Sequence, residues 1–279
     1  MTDSEGYFSV PGLSPFRKYA INAVLPSGYA IKELQSFGSP DSSKPVEVSV
    51  VSTAAVKSMQ ALPFRNTQND AEFDVLLTAA RNSASVQDLI DCIRRGDVAD
   101  IGDLEVTNEV IDRFLTHYYP VDMRNTYTYE TTTYSDVWEP EETHEMVLEG
   151  TGKEDIIDVD GEIVRAYEWI QGHGAPRSTW MRIHDGVLYW YDEVEGQPGK
   201  AELGIVYSLR DKDLTTLELE DITTKAGTFH TLKVTARSPL FAESGTWWLA
   251  PGVGMVMYRG EQDIEPGVVH RYGLELVDY

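Results

Sequence analysis

The fold is decided by residues 245–258, which read Gly-Thr-Trp-Trp-Leu-Ala-Pro-Gly-Val-Gly-Met-Val-Met-Tyr. Two apolar runs, 247–249 and 253–258, flank the tripeptide Ala250-Pro251-Gly252. Because proline fixes φ and glycine tolerates positive φ, this tripeptide suits a tight reversal of the chain. The stretch therefore predicts two strands joined by a corner.

The surrounding sequence predicts further strands of the same sheet. Residues 227–234 alternate apolar and polar side chains after a glycine, as a half-buried strand does. Farther upstream, Asp160-Gly161 and Asp185-Gly186 each separate two β-rich runs, which is typical of a two-residue hairpin turn. Additional strands are predicted at 203–209, 215–219, 229–236 and 268–277.

The C-terminal motifs resemble a known group of domains. The order Ala226-Gly227-Thr228-Phe229, then Lys233-Val234, then 245–256 and a last strand at 272–277 is similar to the TapB-like half-barrel β domains of bacterial envelope proteins. This resemblance implies a strongly curved antiparallel sheet at the cell envelope. It supplies no catalytic residues.

The N-terminal residues predict a small β-sandwich over 1–66. Short β-rich runs at 16–25, 29–34, 46–51 and 56–64 are broken by glycine, proline and serine. The turn Pro26-Ser27-Gly28-Tyr29 and the runs around it are similar to carboxypeptidase regulatory-like and adhesin β-sandwich modules. That resemblance implies a spacer or docking unit.

Residues 67–122 predict a helical segment. Phe73, Leu76 and Ala80 recur at helical spacing, and a second apolar stripe over 86–93 follows an N-cap candidate, Ser85. A third helix is predicted from Thr107 to just before Pro120, and we expect all three to pack on the C-terminal sheet. With an antiparallel β half-barrel over 123–279, the predicted fold class is mainly β, α+β overall.

Composition limits the classes of partner. The net charge of −23, from 46 acidic and 23 basic residues, repels phosphate backbones and anionic membranes, so we expect no nucleic-acid partner. A single cysteine excludes an intramolecular disulfide. The first residues have neither a basic start nor an apolar core, and no apolar run is long enough to cross a bilayer, so neither signal peptide nor direct membrane insertion is predicted.

No motif predicts a catalytic residue, a metal site or a cofactor. The six histidines lack the paired spacing of zinc ligands, and no nucleophile elbow or phosphate-binding loop occurs. Asp155, Asp158, Asp160 and Glu162 resemble part of a calcium loop without its remaining ligands, so a hairpin turn is the preferred interpretation.

The tryptophans are the most informative side chains. Adjacent tryptophans of one strand point to opposite faces, so at least one of Trp247 and Trp248 needs cover from a helix, a partner subunit or a ligand. One interpretation is a core of large rings; the other is a concave face that holds an apolar molecule or a glycan. The residues predicted to bind a ligand or form an interface are Trp247, Trp248, Trp190 and Trp180.

These observations favour a non-catalytic surface, extracellular or assembly protein that acts through protein–protein contacts, with a homo-oligomer as one form. A carrier half-barrel and a carbohydrate-active hydrolase are the alternatives. The expected location is extracellular or in the cell envelope; a cytoplasmically made component of a virion-like assembly is the other option.

Overall fold

The computed structural model describes residues 19–25, 33–38, 46–64, 70–97, 101, 104–134, 140–172, 177–195, 197, 199–208, 211, 213–237, 243–265 and 268–279. The chain divides into two compact units, Met1–Met59 with Thr67–Val110, and Gln60–Asn66 with Ile111–Tyr279. This division runs through the predicted helical segment 67–122. The predicted mainly β fold class is confirmed.

Six elements precede the large sheet. They are β1 (Tyr19–Val24), β2 (Glu33–Gly38), α1 (Val50–Ala61), α2 (Asp70–Arg81), α3 (Ala84–Arg95) and α4 (Leu104–Tyr118). Strands β1 and β2 form an antiparallel pair, and Phe37 of β2 meets Phe73 of α2 edge-on with ring centroids 5.4 Å apart. None of the described helices has the length and apolarity needed to cross a bilayer.

Helix α1 stands where the sequence predicted two strands, 46–51 and 56–64, and those two predictions were wrong. Ser49 and Ser52 cap the first turn reciprocally: the Ser49 N–H donates to Ser52 Oγ (2.8 Å) and the Ser52 N–H donates to Ser49 Oγ (3.2 Å). The helix buries polar and apolar side chains together, Ser52, Thr53 and Ser58 among them, so its sequence shows no polar stripe. β-branched residues without helical periodicity therefore resembled a strand.

In the described part of the first unit, helix α1 contacts strand β2. The predicted β-sandwich would have a second sheet at this place. The Gln35 N–H donates to Thr53 Oγ1 (2.7 Å), and Ser52 Oγ donates to the Gln35 carbonyl (2.7 Å). Hydroxyls of the helix thus satisfy the backbone of the strand.

The predicted helices α2 and α3 are confirmed, with corrections at two helix starts. Ser83, not Ser85, is the N-cap of α3, because its Oγ accepts from the Val86 N–H at 3.2 Å. Helix α4 begins at Leu104, three residues before the predicted Thr107, whose hydroxyl donates to the Leu104 carbonyl inside the helix.

The second unit is built on one sheet of eleven described strands. Its order is β5-β6-β7-β8-β4-β3-β13-β12-β11-β10-β9, with an additional β4–β5 pairing. The bounds are β3 (Thr126–Tyr134), β4 (Pro140–Val159), β5 (Glu162–Gly172), β6 (Arg177–His184), β7 (Val187–Glu193), β8 (Lys200–Ser208), β9 (Thr215–Thr224), β10 (Gly227–Arg237), β11 (Glu243–Ala250), β12 (Gly254–Glu265) and β13 (Val268–Asp278).

Five of these strands close into a small barrel. Strand β4 pairs with β5 from Val147 to Val159 and with β8 in parallel at Asp158↔Lys200 and Val159↔Ala201, which closes the ring β4-β5-β6-β7-β8. Both predicted hairpins lie in this barrel, and their turns have the positive φ that this turn type requires: 53° and 87° at Asp160-Gly161, 54° and 74° at Asp185-Gly186. Each strand contributes to the barrel core, which consists of Ile157, Val164, Ala166, Trp180, Tyr191 and Ala201.

Strand β4 also belongs to the remaining, open part of the sheet. Its first half pairs with β3, and the register with β5 shifts between Gly150 and Glu154. At this shift the backbone approaches other groups so closely that a Cβ on Gly150 would collide with the Met123 carbonyl, and Gly152 takes a φ of 63° beneath the Arg124 side chain. Glycine is needed at both positions for the strand to bend here.

We refer to the open part of the sheet, β3 and the first half of β4 with β9 to β13, as the half-barrel. Its inner face carries a cross-strand row in which each residue opposes the next: Leu217, Val234, Trp247, Tyr258 and Leu274. The outer face carries the alternate residues, among them Lys233, Trp248, Met257 and Glu275.

The second half of α4 and residues 63–64 belong to the same unit and contribute to its core. Phe64 forms a parallel bridge with Leu217, and its ring meets Phe114 of α4 edge-on at 6.0 Å. The His117 carbonyl at the end of α4 accepts from the Gly252 N–H (2.8 Å) in the β11–β12 turn. Phe114, Leu217 and Val234 are buried, so side chains of this unit cover the inner face of the half-barrel at these residues.

In the first unit, a carboxylate from α4 caps α3. Glu109 accepts hydrogen bonds from the Ser85 N–H (2.8 Å), the Ala84 N–H (2.9 Å) and Ser83 Oγ (2.8 Å). Burial by itself would raise the pKa of Glu109, but the donors of Ser85, Ala84 and Ser83 outweigh it and lower the pKa to about 2.

Replacing Glu109 by glutamine should therefore destabilise the first unit by about 1–2 kcal/mol at pH 7. Since the folded pKa lies below the unfolded value, the charge contributes fully above about pH 4.5 and its contribution disappears as the pH falls toward 2. Thermal melts followed by circular dichroism at pH 7 and pH 3 measure both effects. Asp88→Asn, an exposed change on α3, is the matched control, and equal losses in the two variants would contradict the assignment.

Candidate functional site

Trp247 lies on the inner face of the half-barrel and is packed by protein. Its ring is 4.9 Å from that of Tyr258, the residue opposite it on β12, and its side chain is only 9% exposed. Both rings lean over Gly245, where a Cβ would lie 2.5 Å from the Trp247 ring and 2.7 Å from the Tyr258 ring. Because Gly245 has no side chain, the two rings can pack directly against the backbone of the sheet.

The contacts of Trp247 continue as an aromatic row, Trp247, Tyr258, Tyr272 and His270. Tyr258 and Tyr272 have ring centroids 5.3 Å apart, and the Tyr258 hydroxyl donates to the Tyr272 hydroxyl at 3.2 Å. His270 stacks on Tyr272 at 5.7 Å. Since Tyr258 is buried, Tyr272 half-buried and His270 exposed, the row runs from the core to the surface.

Trp248 lies on the outer face, as expected for adjacent residues of a strand, yet is only 8% exposed. Its indole N–H donates to Glu220 Oε2 (3.1 Å), and Lys233 Nζ stands 5.6 Å from the ring centroid and 2.9 Å from the same carboxylate. Hydrogen bonds from Lys233 and Trp248 lower the pKa of Glu220. The Trp248 ring is thus covered by two charged side chains of the same chain, Glu220 and Lys233.

The other two predicted tryptophans lie in the small barrel. Trp180 is buried in its core, whereas Trp190 is half-buried and donates from its indole N–H to Asp192 Oδ1 at 3.0 Å. Strands β8, β4, β3, β13 and β12 separate β7 from β11 in the sheet. The structure therefore brings Trp247 and Trp248 together on one strand and Trp180 and Trp190 on two neighbouring strands, in two separate places. Trp138 lies outside the described residues.

A different cluster joins α4 to the β6–β7 turn. The Asp112 carboxylate accepts from the Gly186 N–H (2.6 Å) and the Asp185 N–H (3.0 Å). Burial raises the pKa of Asp112, against the effect of these hydrogen bonds. His184 Nε2 lies 3.6 Å from Asp185 Oδ2, and one ligand atom each of Asp112, His184 and Asp185 lies within 4.8 Å of the other two.

This cluster was not predicted from the sequence, because Asp112 is 72 positions before His184 and lies on another element. The available signal was local: a histidine directly precedes the predicted Asp185-Gly186 turn. Nothing in the sequence paired that turn with α4.

Two isoleucines form an exposed apolar patch on the small barrel. Ile156 of β4 is 58% exposed and Ile163 of β5 is 68% exposed. Because Ile156 opposes Arg165 and Ile163 opposes Asp158, the two isoleucines are diagonal neighbours on one outward face. Asp158 Oδ1 accepts from the Gly161 N–H (2.7 Å), so the acids around the turn fit the predicted hairpin.

No protein-family model and no curated protein matches this chain. A crystal structure of a lipoprotein candidate from Parabacteroides distasonis is 16% identical, with a TM-score of 0.27, over 58% of this chain and 97% of its own. An exported-protein candidate with a YmcC-like fold from Bacteroides fragilis is 12% identical, with a TM-score of 0.30, over 58% of this chain and 98% of its own. At TM-scores this low, a likeness does not establish a shared fold.

Truncating Trp247 to alanine should lower the free energy of unfolding by about 3–5 kcal/mol, because the ring is packed against Tyr258 and leaves a cavity. The half-buried Trp190→Ala is the comparison and should cost less. Urea unfolding followed by circular dichroism measures both. A neutral Trp247→Ala, together with saturable binding of a fluorescent apolar probe by the parent protein, would instead support a carrier.

Adding a single methyl group at Gly245 should be costly in the same way. Gly245→Ala places a Cβ against the rings of Trp247 and Tyr258 and should destabilise by about 1–3 kcal/mol. Gly172→Ala is the matched control, because its nearest neighbour would be the Val147 carbonyl oxygen at 3.8 Å. If the two variants unfold at the same urea concentration, the close approach at Gly245 does not exist in solution.

Proposed function

We propose that this chain is a non-catalytic, β-rich protein of the cell envelope or extracellular space that acts by binding another protein, and that the Ile156–Ile163 patch is the contact surface. The observation that carries the proposal is the exposure of two large aliphatic side chains that are diagonal neighbours on the β4–β5 hairpin. Apolar side chains that are neighbours and exposed together are typical of a protein–protein interface.

The charges around the patch indicate what kind of partner fits. On the face of the two isoleucines, β4 carries the acids Glu154 and Asp158, β5 carries the base Arg165 opposite Ile156, and Asp160 lies in the turn. The chain as a whole has a net charge of −23. A partner with an apolar centre and a basic rim is complementary to this surface, and its approach would be accelerated by the field of the whole chain.

The packing of the half-barrel supports binding at a surface over carriage of a molecule inside. Trp247 and Tyr258 fill the inner face, and Phe64 and Phe114 pack beside Leu217 of that face. These side chains occupy the concavity in which a carrier would hold an apolar ligand.

A glycan-binding role is the second candidate, favoured by the aromatic row. Tyr272 and His270 stack at the end of that row and are the members that reach solvent. Ring faces of this kind stack on the apolar faces of sugars. A glycan array probed with the parent and with Tyr272→Ala separates this role from protein binding.

The patch can be tested with strand-forming peptides whose three central valines are flanked by lysine, serine or glutamate. The lysine-flanked peptide should bind most tightly by fluorescence anisotropy and should weaken as salt is raised. Ile156→Ser with Ile163→Ser should reduce its affinity about tenfold or more, since each serine removes apolar contact area. Leu104→Ser is the matched control, because Leu104 is an aliphatic residue elsewhere with 61% exposure.

Equal binding of the glutamate-flanked peptide, or an affinity unchanged in the double variant, would reject the patch as the contact surface. Light scattering of the parent protein and the double variant tests whether the patch joins two copies of this chain. A dimer that the two serines dissociate would make a second copy of this chain the partner.

A further inference from the structure

Three metal-ligating side chains meet where α4 contacts the β6–β7 turn. They are Asp112 from the helix, His184 from the end of β6 and Asp185 from the turn. One nitrogen or oxygen atom of each lies within 4.8 Å of the other two. All three residues belong to the same compact unit, the one that holds the large sheet.

The distance between His184 and Asp185 suits a small, tightly coordinating cation, and the Asp112 carboxylate lies within 4.8 Å of both. Zinc bonds to nitrogen and oxygen of about 2.0–2.2 Å place tetrahedral ligands about 3.4 Å apart. His184 Nε2 and Asp185 Oδ2 already stand 3.6 Å apart, so this pair spans one edge of such a tetrahedron. Asp112 approaches from the helix side and completes three protein donors.

The backbone holds Asp112 in position for this role. Its two oxygens accept from the Asp185 and Gly186 N–H groups at 3.0 and 2.6 Å, which fixes the carboxylate above the turn. A carboxylate oxygen has a second lone pair, so these bonds leave each oxygen able to bind a cation. Hydrogen bonds that orient a ligand in this way are a regular part of metal sites.

We propose that Asp112, His184 and Asp185 bind a divalent transition-metal ion of the zinc type, with a fourth position left for water. An imidazole with two carboxylates suits zinc or nickel, whereas magnesium and calcium prefer all-oxygen sites. The ion also offsets the proximity of two carboxylates, one of which is substantially buried. Bound there, it links α4 to the small barrel.

A purely structural role for Asp112, in which it only receives the two N–H groups of the turn, accounts for part of this geometry. It explains the position of Asp112. It assigns no role to the His184 ring and the Asp185 carboxylate, whose Nε2 and Oδ2 atoms lie 3.6 Å apart. The two explanations differ in what zinc should do.

Zinc chloride is titrated into the full chain, with binding followed by calorimetry and by the NMR signals of the histidine rings. The parent should bind one equivalent, shift the His184 ring signals and melt at a higher temperature. His184→Gln should lower the affinity about tenfold or more, and Asp112→Asn should do the same. Magnesium and calcium at the same concentrations should leave the ring signals unshifted.

The matched control is His230→Gln. His230 Nδ1 lies 2.6 Å from Asp221 Oδ1 on an exposed stretch of the half-barrel, and this pair forms no three-residue group of metal-ligating side chains among the described residues. His230→Gln should leave the affinity for zinc unchanged. His184 is exposed, so its replacement keeps the fold even if Asp112→Asn disturbs the turn.

Zinc binding that survives His184→Gln, or that His184→Gln and His230→Gln weaken equally, would overturn the proposal and leave non-specific binding to surface histidines. Absence of any shift in the His184 ring at millimolar zinc would overturn it as well. In that case Asp112 serves the turn alone.

Discussion

The second unit depends on one constraint: a single strand, β4, must belong to both the small barrel and the half-barrel. The first half of β4 pairs with β3 in the half-barrel, and its second half pairs with β5 and β8 in the small barrel. The bend between them is possible only where Gly150 and Gly152 let Met123 and Arg124 approach the backbone. Trp169 then fixes the segment after α4 by donating to the Val121 carbonyl at 2.9 Å. The contacts of the β4 bend therefore connect the small barrel, the half-barrel and the segment that follows α4.

Electrostatics contributes to the pairing of strands more than to their stability. On the outer face of the half-barrel, Lys233 pairs across strands with Glu220 at 2.9 Å and Arg271 with Glu261 at 2.8 Å. Partly exposed pairs of this kind are worth about 1 kcal/mol each, yet opposite charges on neighbouring strands favour one register over a shifted one. Acidic residues outnumber basic residues in this chain by 46 to 23, and several of the acids lie on the β4–β5 hairpin.

The elements that the sequence predicted correctly are those specified by local chemistry. Asp160-Gly161 and Asp185-Gly186 specify hairpins through φ alone, and α3 shows a clean apolar stripe with a glycine at its end. Helix α1 was not predicted, because it is buried on most of its surface and its sequence therefore shows no helical alternation of apolar and polar residues. The opposite faces of Trp247 and Trp248 followed from strand geometry, but the charged cover of Trp248 and the meeting of Asp112 with His184 arise from pairings across many residues. Such pairings have no local signature.

The closure of the small barrel has a consequence for its motion. Most of its neighbouring strands pair over many residues, but within the described part of the chain β4 and β8 pair only at Asp158↔Lys200 and Val159↔Ala201. The Asp158 N–H also donates to the Gly199 carbonyl at 2.9 Å. Local opening begins where backbone hydrogen bonds are fewest. We therefore expect the β4–β8 pairing to open before the other strand pairs of the small barrel, and each transient opening to give solvent a route to Ile157 and Trp180.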